Sequence, residues 1–304
     1  MPPRLGALIA IVLWGLSFVA TKVALREVSP VTLVFTRFAM GTALLVLTLA
    51  ARRQPLVPPA ASWPALAVMG FVGVFVHQLL QSNALTMTSA TSAGWLIGLI
   101  PIWTALLSAL FLKERFGALK VGGLVLGFVG AVLLVTRGRV APGMLALPST
   151  HGDLLILAST LTWALYTVLG RGTLRRLGSL RATTGMMFLG TLMLAPLFLL
   201  GAGWRQYAAL SPAGTAAVLF LGLGPAGLGY LFWYGALEKV ETSRVAVFLY
   251  LEPLVTFAAA VAMLREPVGV TTVVGGLLVL AGVALVQRAP AARSEPVTRG
   301  AAAD

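Results

Sequence analysis

Two charged residues, Arg37 and Glu252, interrupt long apolar stretches of this 304-residue chain. A charge at the centre of a bilayer costs about 2.5–3.5 kcal/mol on insertion scales, so a charged side chain at that depth is a functional candidate. A carboxylate there can bind an amine or carry a proton, and a guanidinium can bind a carboxylate through two parallel hydrogen bonds. The structural alternatives are a Glu252 tied to neighbouring helices and an Arg37 that extends to the outer interface.

A histidine and neighbouring amides form a second polar group within an apolar segment. His77 and Gln81 are four residues apart and therefore lie on one face of a helix, with Gln78 beside them. Such a stripe should face the interior of a helix bundle, where it can hydrogen-bond a substrate and where His77 can also carry protons. The alternative is a hydrogen bond between helices. Glu252 and His77 are thus the two candidates for proton coupling.

Tryptophan and tyrosine residues within the apolar segments are candidates for the wall of a binding cavity. A buried indole or phenol needs a hydrogen-bond partner, so it faces protein or water rather than lipid. Tyr230 follows a glycine-rich run, 222–229, which favours either close helix packing or a broken helix beside a cavity. Packing alone is the alternative for every aromatic residue. The candidates are Trp14, Trp95, Trp163, Tyr166 and Tyr230.

Two prolines, Pro101 and Pro253, occupy equivalent places in two of the apolar segments. Proline removes a backbone donor and leaves a carbonyl group free, which permits a kink or a rocking point in a membrane helix. The pattern predicts a kink at both places and does not distinguish a structural kink from a gating hinge.

These residues are distributed over ten apolar segments, each long enough to cross a bilayer core of about 30 Å as a helix. The composition agrees, since 59% of the residues are hydrophobic and only 10% are charged. We therefore expect an all-α polytopic membrane protein. The predicted spans are 5–25, 31–51, 64–82, 90–112, 118–136, 152–171, 181–201, 213–235, 242–264 and 268–288.

The two halves of the chain repeat each other at a constant spacing of 152 residues. This predicts a duplicated five-helix bundle, with a first repeat over 1–136, a linker over 137–151, a second repeat over 152–288 and a disordered cytoplasmic tail over 289–304. Matched pairs include Gly70 and Gly222, Pro101 and Pro253, Glu114 and Glu266, Gly123 and Gly275, and Gly130 and Gly282. The repeat fails at His77, Gln81 and Glu252, whose counterparts are Gly229, Trp233 and Ile100, and at Arg37, whose counterpart is Met186 at a spacing of 149.

The distribution of Lys and Arg predicts the orientation of the spans. With a cytoplasmic N-terminus, fifteen of the 22 basic residues fall on the inner side and six on the outer side, while Arg37 lies within a span. Both termini are then cytoplasmic, and the expected location is the inner (cell) membrane. Because each repeat has an odd number of helices, the second copy should be inverted relative to the first, and the matched loops reverse their charge bias accordingly.

Several function classes lack the residues that they need. The chain has no cysteine, which excludes disulfides and thiolate metal sites, and it has no Walker-type phosphate loop. It also lacks the H-E-x-x-H and G-x-S-x-G motifs, so no catalytic residue, metal or cofactor is expected. The net charge of +13 comes from short loops without a basic stripe, which argues against nucleic acid. An intramembrane enzyme or a passive channel is the weaker alternative, since a pore should carry a ring of like charges.

The order and doubling of several motifs resemble EamA-type members of the drug/metabolite transporter superfamily. The first copy contributes Trp14-Gly15-Leu16-Ser17-Phe18-Val19 and Leu112-Lys113-Glu114-Arg115, and the second contributes Leu251-Glu252-Pro253 and Leu264-Arg265-Glu266-Pro267. The resemblance covers almost the whole chain. It implies ten helices in two inverted halves, a central cavity, alternating access, and export of amino acids, related metabolites or drugs.

We therefore expect a secondary active exporter of small metabolites, with amino acids or related compounds as the first candidates. Multidrug, nucleoside or other metabolite transport by the same fold is the alternative. The expected partners are a small-molecule substrate and the lipid bilayer, with proton coupling at Glu252 or His77. Glycines in the fifth and tenth segments indicate close helix contact, and the chain is expected to act as a monomer or a homodimer.

Overall fold

The computed structural model describes residues 2–112, 117–139, 147–237 and 247–288, and all regular structure within these ranges is helical. Nine segments are long and apolar enough to cross a membrane, and a shorter apolar helix makes a tenth. The predicted all-α membrane fold is thereby confirmed. We number the segments as spans 1 to 10: Pro3–Ala24, Pro30–Ala51, Ala60–Met87, the helix pair Ala90–Ile97 and Ile100–Leu112, Ala118–Thr136, Pro148–Leu177, Ser179–Leu200, Pro212–Ala236, Phe248–Leu264 and Val270–Arg288.

Four sequence predictions fall wholly or partly on residues outside the described ranges. They are the middle of the linker (140–146), the Lys113-Glu114-Arg115 motif, the first residues of the ninth predicted span (242–246) and the tail (289–304). Span 6 begins at Pro148, ahead of the predicted start at residue 152.

Serine and proline define the starts of several spans. Ser29 and Ser211 each accept a hydrogen bond from the amide three residues further on, and each is followed by a proline in the first helical position. Ser89 caps span 4 in the same way. These side chains satisfy amides that a helix start leaves without an intrahelical partner.

Three spans depart from a regular α-helix, and all three departures adjoin the centre of the bundle. Span 4 was predicted as continuous but breaks at Gly98 and Leu99, because Pro101 has no amide hydrogen to donate to the preceding turn. Spans 3 and 8 each contain a π-helical stretch, Phe71–Val76 and Gly224–Gly229. The two stretches occupy matched places in the two halves, and each widens the helix just before a polar residue.

Spans 5 and 10 cross at the glycines that the sequence predicted to be a close contact. A Cβ atom on Gly123 would lie 2.6 Å from the carbonyl oxygen of Gly282, and one on Gly130 would lie 2.6 Å from that of Gly275. Glycine is therefore required for the two backbones to approach this closely, as is usual where membrane helices pack through small residues.

The connections on the predicted outer side contact one another. Glu27 accepts hydrogen bonds from the Ser211 amide and hydroxyl, at 2.7 and 2.6 Å. At the same end, Lys22 Nζ donates to the Thr88 carbonyl oxygen at 2.6 Å. Connections from both halves of the chain therefore meet here.

The connections on the predicted inner side form a separate set of contacts. Arg181 Nε donates to the Pro55 carbonyl oxygen at 3.2 Å, and an Arg176 amine lies 3.5 Å from the Ser62 hydroxyl. The connection after span 2 lies at this end, whereas the matching connection after span 7, which contains Gln206, contacts Ser29 at the other end.

The apolar core consists of two clusters of buried side chains. The first joins spans 1, 3, 4, 5, 6, 9 and 10 and includes Phe18, Ile97 and Val283. The second joins spans 1, 2, 3, 6, 7 and 8 and includes Trp14 and Tyr230. Both clusters contribute side chains to the lining of one central cavity.

Candidate functional site

A central cavity of about 830 Å³, counted with the part that is open to the outside, lies between the two halves of the chain. Seven of the nine predicted substrate-binding residues line it, together with both predicted hinge prolines. The lining residues among the predictions are Trp14, Arg37, His77, Gln81, Trp163, Tyr230, Glu252, Pro101 and Pro253.

Arg37 is a buried cation with incomplete hydrogen bonding. Its side chain is 7% exposed, and one terminal amine lies 3.5 Å from Gln78 Oε1, which is the outer limit of a hydrogen bond. The Nε atom has no hydrogen-bond partner within the described residues. A guanidinium held in this way keeps donors available for an acceptor that enters the cavity.

Glu252 lies in the first turn of the helix Leu251–Leu264 and faces the same cavity. The partial positive charge of a helix N-terminus favours a carboxylate at this position. Within the described residues, the Glu252 carboxylate makes no hydrogen bond and forms no ion pair with Arg37, although the two groups are close enough to interact electrostatically. The cavity therefore presents one cation and one anion that do not neutralise each other by contact.

His77, the first residue after the π-helical stretch of span 3, is held in one orientation by span 6. Its Nδ1 atom lies 2.8 Å from the Ser159 carbonyl oxygen. Because a carbonyl oxygen only accepts, Nδ1 carries the hydrogen and the other ring nitrogen is left as an acceptor. The ring also packs against Trp163, with centroids 5.1 Å apart. His77 can thus accept a hydrogen bond from a bound molecule.

An aromatic wall covers one side of the cavity. Trp14 Nε1 donates to the Pro225 carbonyl oxygen at 3.0 Å, inside the π-helical stretch of span 8. The Trp14 ring lies 5.5 Å from Tyr230 and 5.3 Å from Trp233. The glycine run 222–229 packs closely on span 2, as predicted, since a Cβ on Gly227 would come within 2.5 Å of Leu44. The run is also π-helical, and its Pro225 carbonyl oxygen accepts the hydrogen bond from Trp14.

Two predicted site residues lie outside the cavity lining. The Trp95 indole packs against Gly276, where an added Cβ would come within 2.2 Å of the ring, and against Phe257. Tyr166 lies behind Trp163, with centroids 5.0 Å apart, and its ring covers Gly73. Both aromatic rings fill space beside glycines, a relationship between distant residues that spacing along the chain does not reveal.

Pro101 and Pro253 both stand near the start of a helix whose preceding residues are irregular. Pro101 follows the break in span 4, and Pro253 follows a short 3₁₀ turn, Val247–Tyr250. The winding thus changes just before both prolines, and their role as kinks or hinges stays a prediction. A proline is tolerated in the first turn of a helix because the amide hydrogen that it lacks would have no partner there.

Sequence reasoning did not select two polar residues that line the cavity, Ser17 and Gln287. Ser17 lies three residues after Trp14 and so shares its helix face, which is a signal that was available. Gln287 lies in the last turn of span 10, where a polar residue ordinarily marks the membrane surface. No group of three or more His, Cys, Asp or Glu in the described ranges is placed to hold a metal ion.

The cavity extends toward one end of the bundle. Leu249 and Tyr250, at the start of span 9, and Gln287, at the end of span 10, belong to its lining. The predicted outer end is occupied instead by the contacts of Lys22 and Thr88. A molecule in the cavity is therefore nearer to the predicted cytoplasmic side.

Comparisons with known proteins bear on this geometry. A family model described as the EamA-like transporter family matches residues 2–136 and again residues 150–288. An uncharacterized transporter of Archaeoglobus fulgidus is 32% identical, over 91% of this chain and 94% of that protein. A probable terminal-alkyne amino-acid exporter of Streptantibioticus cattleyicolor is 28% identical, over 92% of this chain and 91% of that protein. One crystal structure shares the fold, with a TM-score of 0.64, 24% identity, and coverage of 93% of this chain and 95% of the other.

Proposed function

Because the chain belongs to the EamA-like transporter family, we propose that it is a secondary active exporter of zwitterionic metabolites, foremost amino acids. One observation carries this proposal. Arg37 and Glu252 are a base and an acid that can take opposite charges, line the same cavity and form no ion pair with each other. A ligand with one carboxylate and one ammonium group supplies the partner that each side chain lacks.

The binding step follows from the chemistry of these groups. The substrate carboxylate accepts hydrogen bonds from Arg37, and the substrate ammonium donates to Glu252. His77 and Gln81 are additional hydrogen-bonding groups, while Trp14 and Tyr230 provide apolar contact for the rest of the molecule. A ligand with only one of the two charges leaves the other side chain unpaired, which costs binding free energy.

Transport requires that the two ends of the cavity open in turn. We infer an inverted repeat from the reversed charge bias of matched loops, and the packing of matched loops at different ends of the bundle supports it. In this arrangement the structure corresponds to a state that is closed on the outer side. Rocking about the matched helix starts at Pro101 and Pro253 would transfer access to the other side.

Proton coupling is assigned to Glu252 in this proposal. A proton and a substrate ammonium compete for the same carboxylate, so that substrate binding from the cytoplasm releases a proton and substrate release outside permits another to bind. His77 is the second candidate, because it also lines the cavity and its second ring nitrogen has no hydrogen-bond partner within the described residues. Orientation with both termini cytoplasmic, in the inner membrane, belongs to the same proposal.

The name of the Streptantibioticus cattleyicolor relative, a probable amino-acid exporter, is consistent with this substrate class. The cavity-lining rings of Trp14, Trp163 and Tyr230 support a second candidate, transport of planar apolar drugs or nucleosides. The two candidates differ in one respect. Planar neutral compounds need the aromatic rings for binding and do not need both Arg37 and Glu252.

Counterflow in proteoliposomes tests the proposal. Purified protein is reconstituted, and uptake of labelled amino acids, nucleosides and planar neutral drugs is measured with and without a proton gradient. We expect gradient-dependent uptake of zwitterions. Uptake of nucleosides or drugs alone would favour the second candidate, and the absence of counterflow for every compound would contradict transport itself.

A further inference from the structure

Asp153, in the second turn of span 6, is a buried acid that the proposed substrate site does not use. Its side chain has no exposed surface. The Oδ1 atom accepts hydrogen bonds from the Thr88 hydroxyl and from the Ser92 hydroxyl, the latter at 2.8 Å. The Oδ2 atom is buried and has no hydrogen-bond partner within the described residues. Within the described residues, Oδ1 therefore accepts two hydrogen bonds and Oδ2 accepts none.

The charges around Asp153 are directed to other partners. Lys22 donates to the Thr88 carbonyl oxygen, and Glu266 accepts from the amides of Ala90 and Thr91 at 2.8 and 2.9 Å. Asp153 forms no ion pair within the described residues. Arg137, at the end of span 5, interacts electrostatically with Asp153. Lys22 of span 1 and Glu266 before span 10 hydrogen-bond to the same turn, residues 88–92, and His151 lies two residues before Asp153 in its own helix.

A proton on Oδ2 removes the uncompensated negative charge of this carboxyl group. An ionised carboxylate with one bare oxygen is costly to keep out of water, because within the described residues no donor replaces the lost hydration of Oδ2 and no cation forms an ion pair with it. The protonated group has no net charge, and its Oδ1 atom still accepts from both hydroxyls. The geometry therefore fits the acid form of the side chain.

Asp153 stands where the outer ends of several spans are joined. The turn at residues 88–92 is held by Lys22 from span 1, by Glu266 from the connection between spans 9 and 10, and by Asp153 from span 6. The span 6 backbone lies directly against it, since a Cβ on Gly152 would come within 2.8 Å of Thr88 Cβ and 2.9 Å of its amide. Opening the outer end must separate these groups and admit water to the carboxyl.

We propose that Asp153 is a proton-binding site that must be loaded before the outer end can close. The proposal rests on the alternating access proposed above. When the outer end opens, the hydrated carboxyl releases its proton to the outer solution, and when the end closes it takes one up from the same solution. The proton is not carried across the membrane, so this site sets the sensitivity of the outer gate to external pH and is separate from coupling at Glu252.

The chain has no cysteine, which permits a single reporter thiol. We would place it by Ser17→Cys, an almost isosteric change in the cavity lining, and measure labelling by a membrane-impermeant maleimide from outside intact cells. An exposed thiol introduced by Ala208→Cys corrects for the pH dependence of the reagent. Between about pH 6 and pH 9, we expect the corrected labelling rate to rise about tenfold as Asp153 ionises and the outer end stays open.

Asp153→Asn imitates the protonated side chain and should give slow labelling at every pH. Ser92→Ala keeps the acid but removes a donor that favours its ionised form, so the labelling transition should move to higher pH. Glu27→Gln, at another outer carboxyl, is the matched control and should behave as the parent protein. The Ser92→Ala result keeps the proposal testable if the asparagine variant fails to fold.

A wild-type pH transition in both Asp153→Asn and Ser92→Ala would overturn the role of Asp153 and leave alternating access intact. Absence of outer labelling of the Ser17→Cys protein at every pH and substrate concentration would contradict alternating access itself. The two failures are therefore distinguishable.

Discussion

The central cavity and the outer end of the bundle both contain charged residues, but these residues have hydrogen-bond partners at the outer end and lack them in the cavity. In the cavity, Arg37 and Glu252 share a space without contacting each other. At the outer end, Glu266 accepts two backbone amides and Lys22 donates to a carbonyl oxygen. Charges that already have partners hold the helices together, and charges without partners are available to a ligand. Asp153 is intermediate between these two kinds of charged residue, because its Oδ1 atom accepts hydrogen bonds and its Oδ2 atom has no partner within the described residues.

The largest effect is expected from Arg37→Gln. This change removes the donor for a substrate carboxylate and leaves Glu252 as an uncompensated charge, so amino-acid affinity should fall about 100-fold. Equilibrium binding by purified protein is the measurement. Arg37→Lys is the control and should retain part of the affinity, since it keeps the charge but loses the paired geometry. Unchanged affinity in both variants would remove Arg37 from the site.

Glu252→Gln should weaken amino-acid binding about tenfold, because an amide still accepts one hydrogen bond from an ammonium group. It should also abolish the dependence of transport on a proton gradient while counterflow persists. Uptake into proteoliposomes with and without the gradient measures both effects. If gradient-driven transport survives intact, Glu252 is not the coupling acid and His77 becomes the candidate.

At the outer end, Glu266→Gln should have a smaller effect. It removes a negative charge from the start of span 4 but keeps an oxygen that can accept from one amide. We expect transport to slow about threefold, with faster outer labelling of the Ser17→Cys reporter and unchanged amino-acid affinity. If Glu266→Gln lowered amino-acid affinity as much as Glu252→Gln, the separation between ligand binding in the cavity and helix contacts at the outer end would be contradicted.

The smallest effect is expected from Glu27→Gln. Hydrogen bonds from the Ser211 hydroxyl and amide lower the pKa of Glu27 below its ordinary value of 4.5, so the ionised form is favoured in the folded protein. This contribution to stability is present above the unfolded pKa and is lost as the pH falls through the folded one. Thermal unfolding in detergent should show a decrease of about 1 °C for the variant at neutral pH, and the difference should vanish in acid.

Sequence reasoning predicted the spans well because the apolar segments are long and separated by polar connections. The break in span 4 was missed because a proline after Gly98 and Leu99 does not by itself decide between a bent and an interrupted helix. The matched π-helical stretches carry no recognised sequence signal beyond the glycines of span 8. Such local windings depend on packing between halves of the chain.

The candidate site was predictable where the repeat fails. Arg37, His77, Gln81 and Glu252 differ from their counterparts in the other half, and all four line the cavity. Asp153 was overlooked because it stood at the edge of a predicted span, where an acid is ordinarily solvated. Its burial by Thr88 and Ser92 arises from a turn that is distant in the sequence.

The central claim is that two separate charges recognise the two ends of a zwitterion. The most direct measurement compares the affinity of one transported amino acid with that of its deaminated and its decarboxylated analogue, in the parent protein and in two variants. Glu252→Gln should lose its preference for the amino acid over the deaminated analogue only. Arg37→Gln should lose its preference over the decarboxylated analogue only. An equal loss of affinity for all three ligands in both variants would contradict the account.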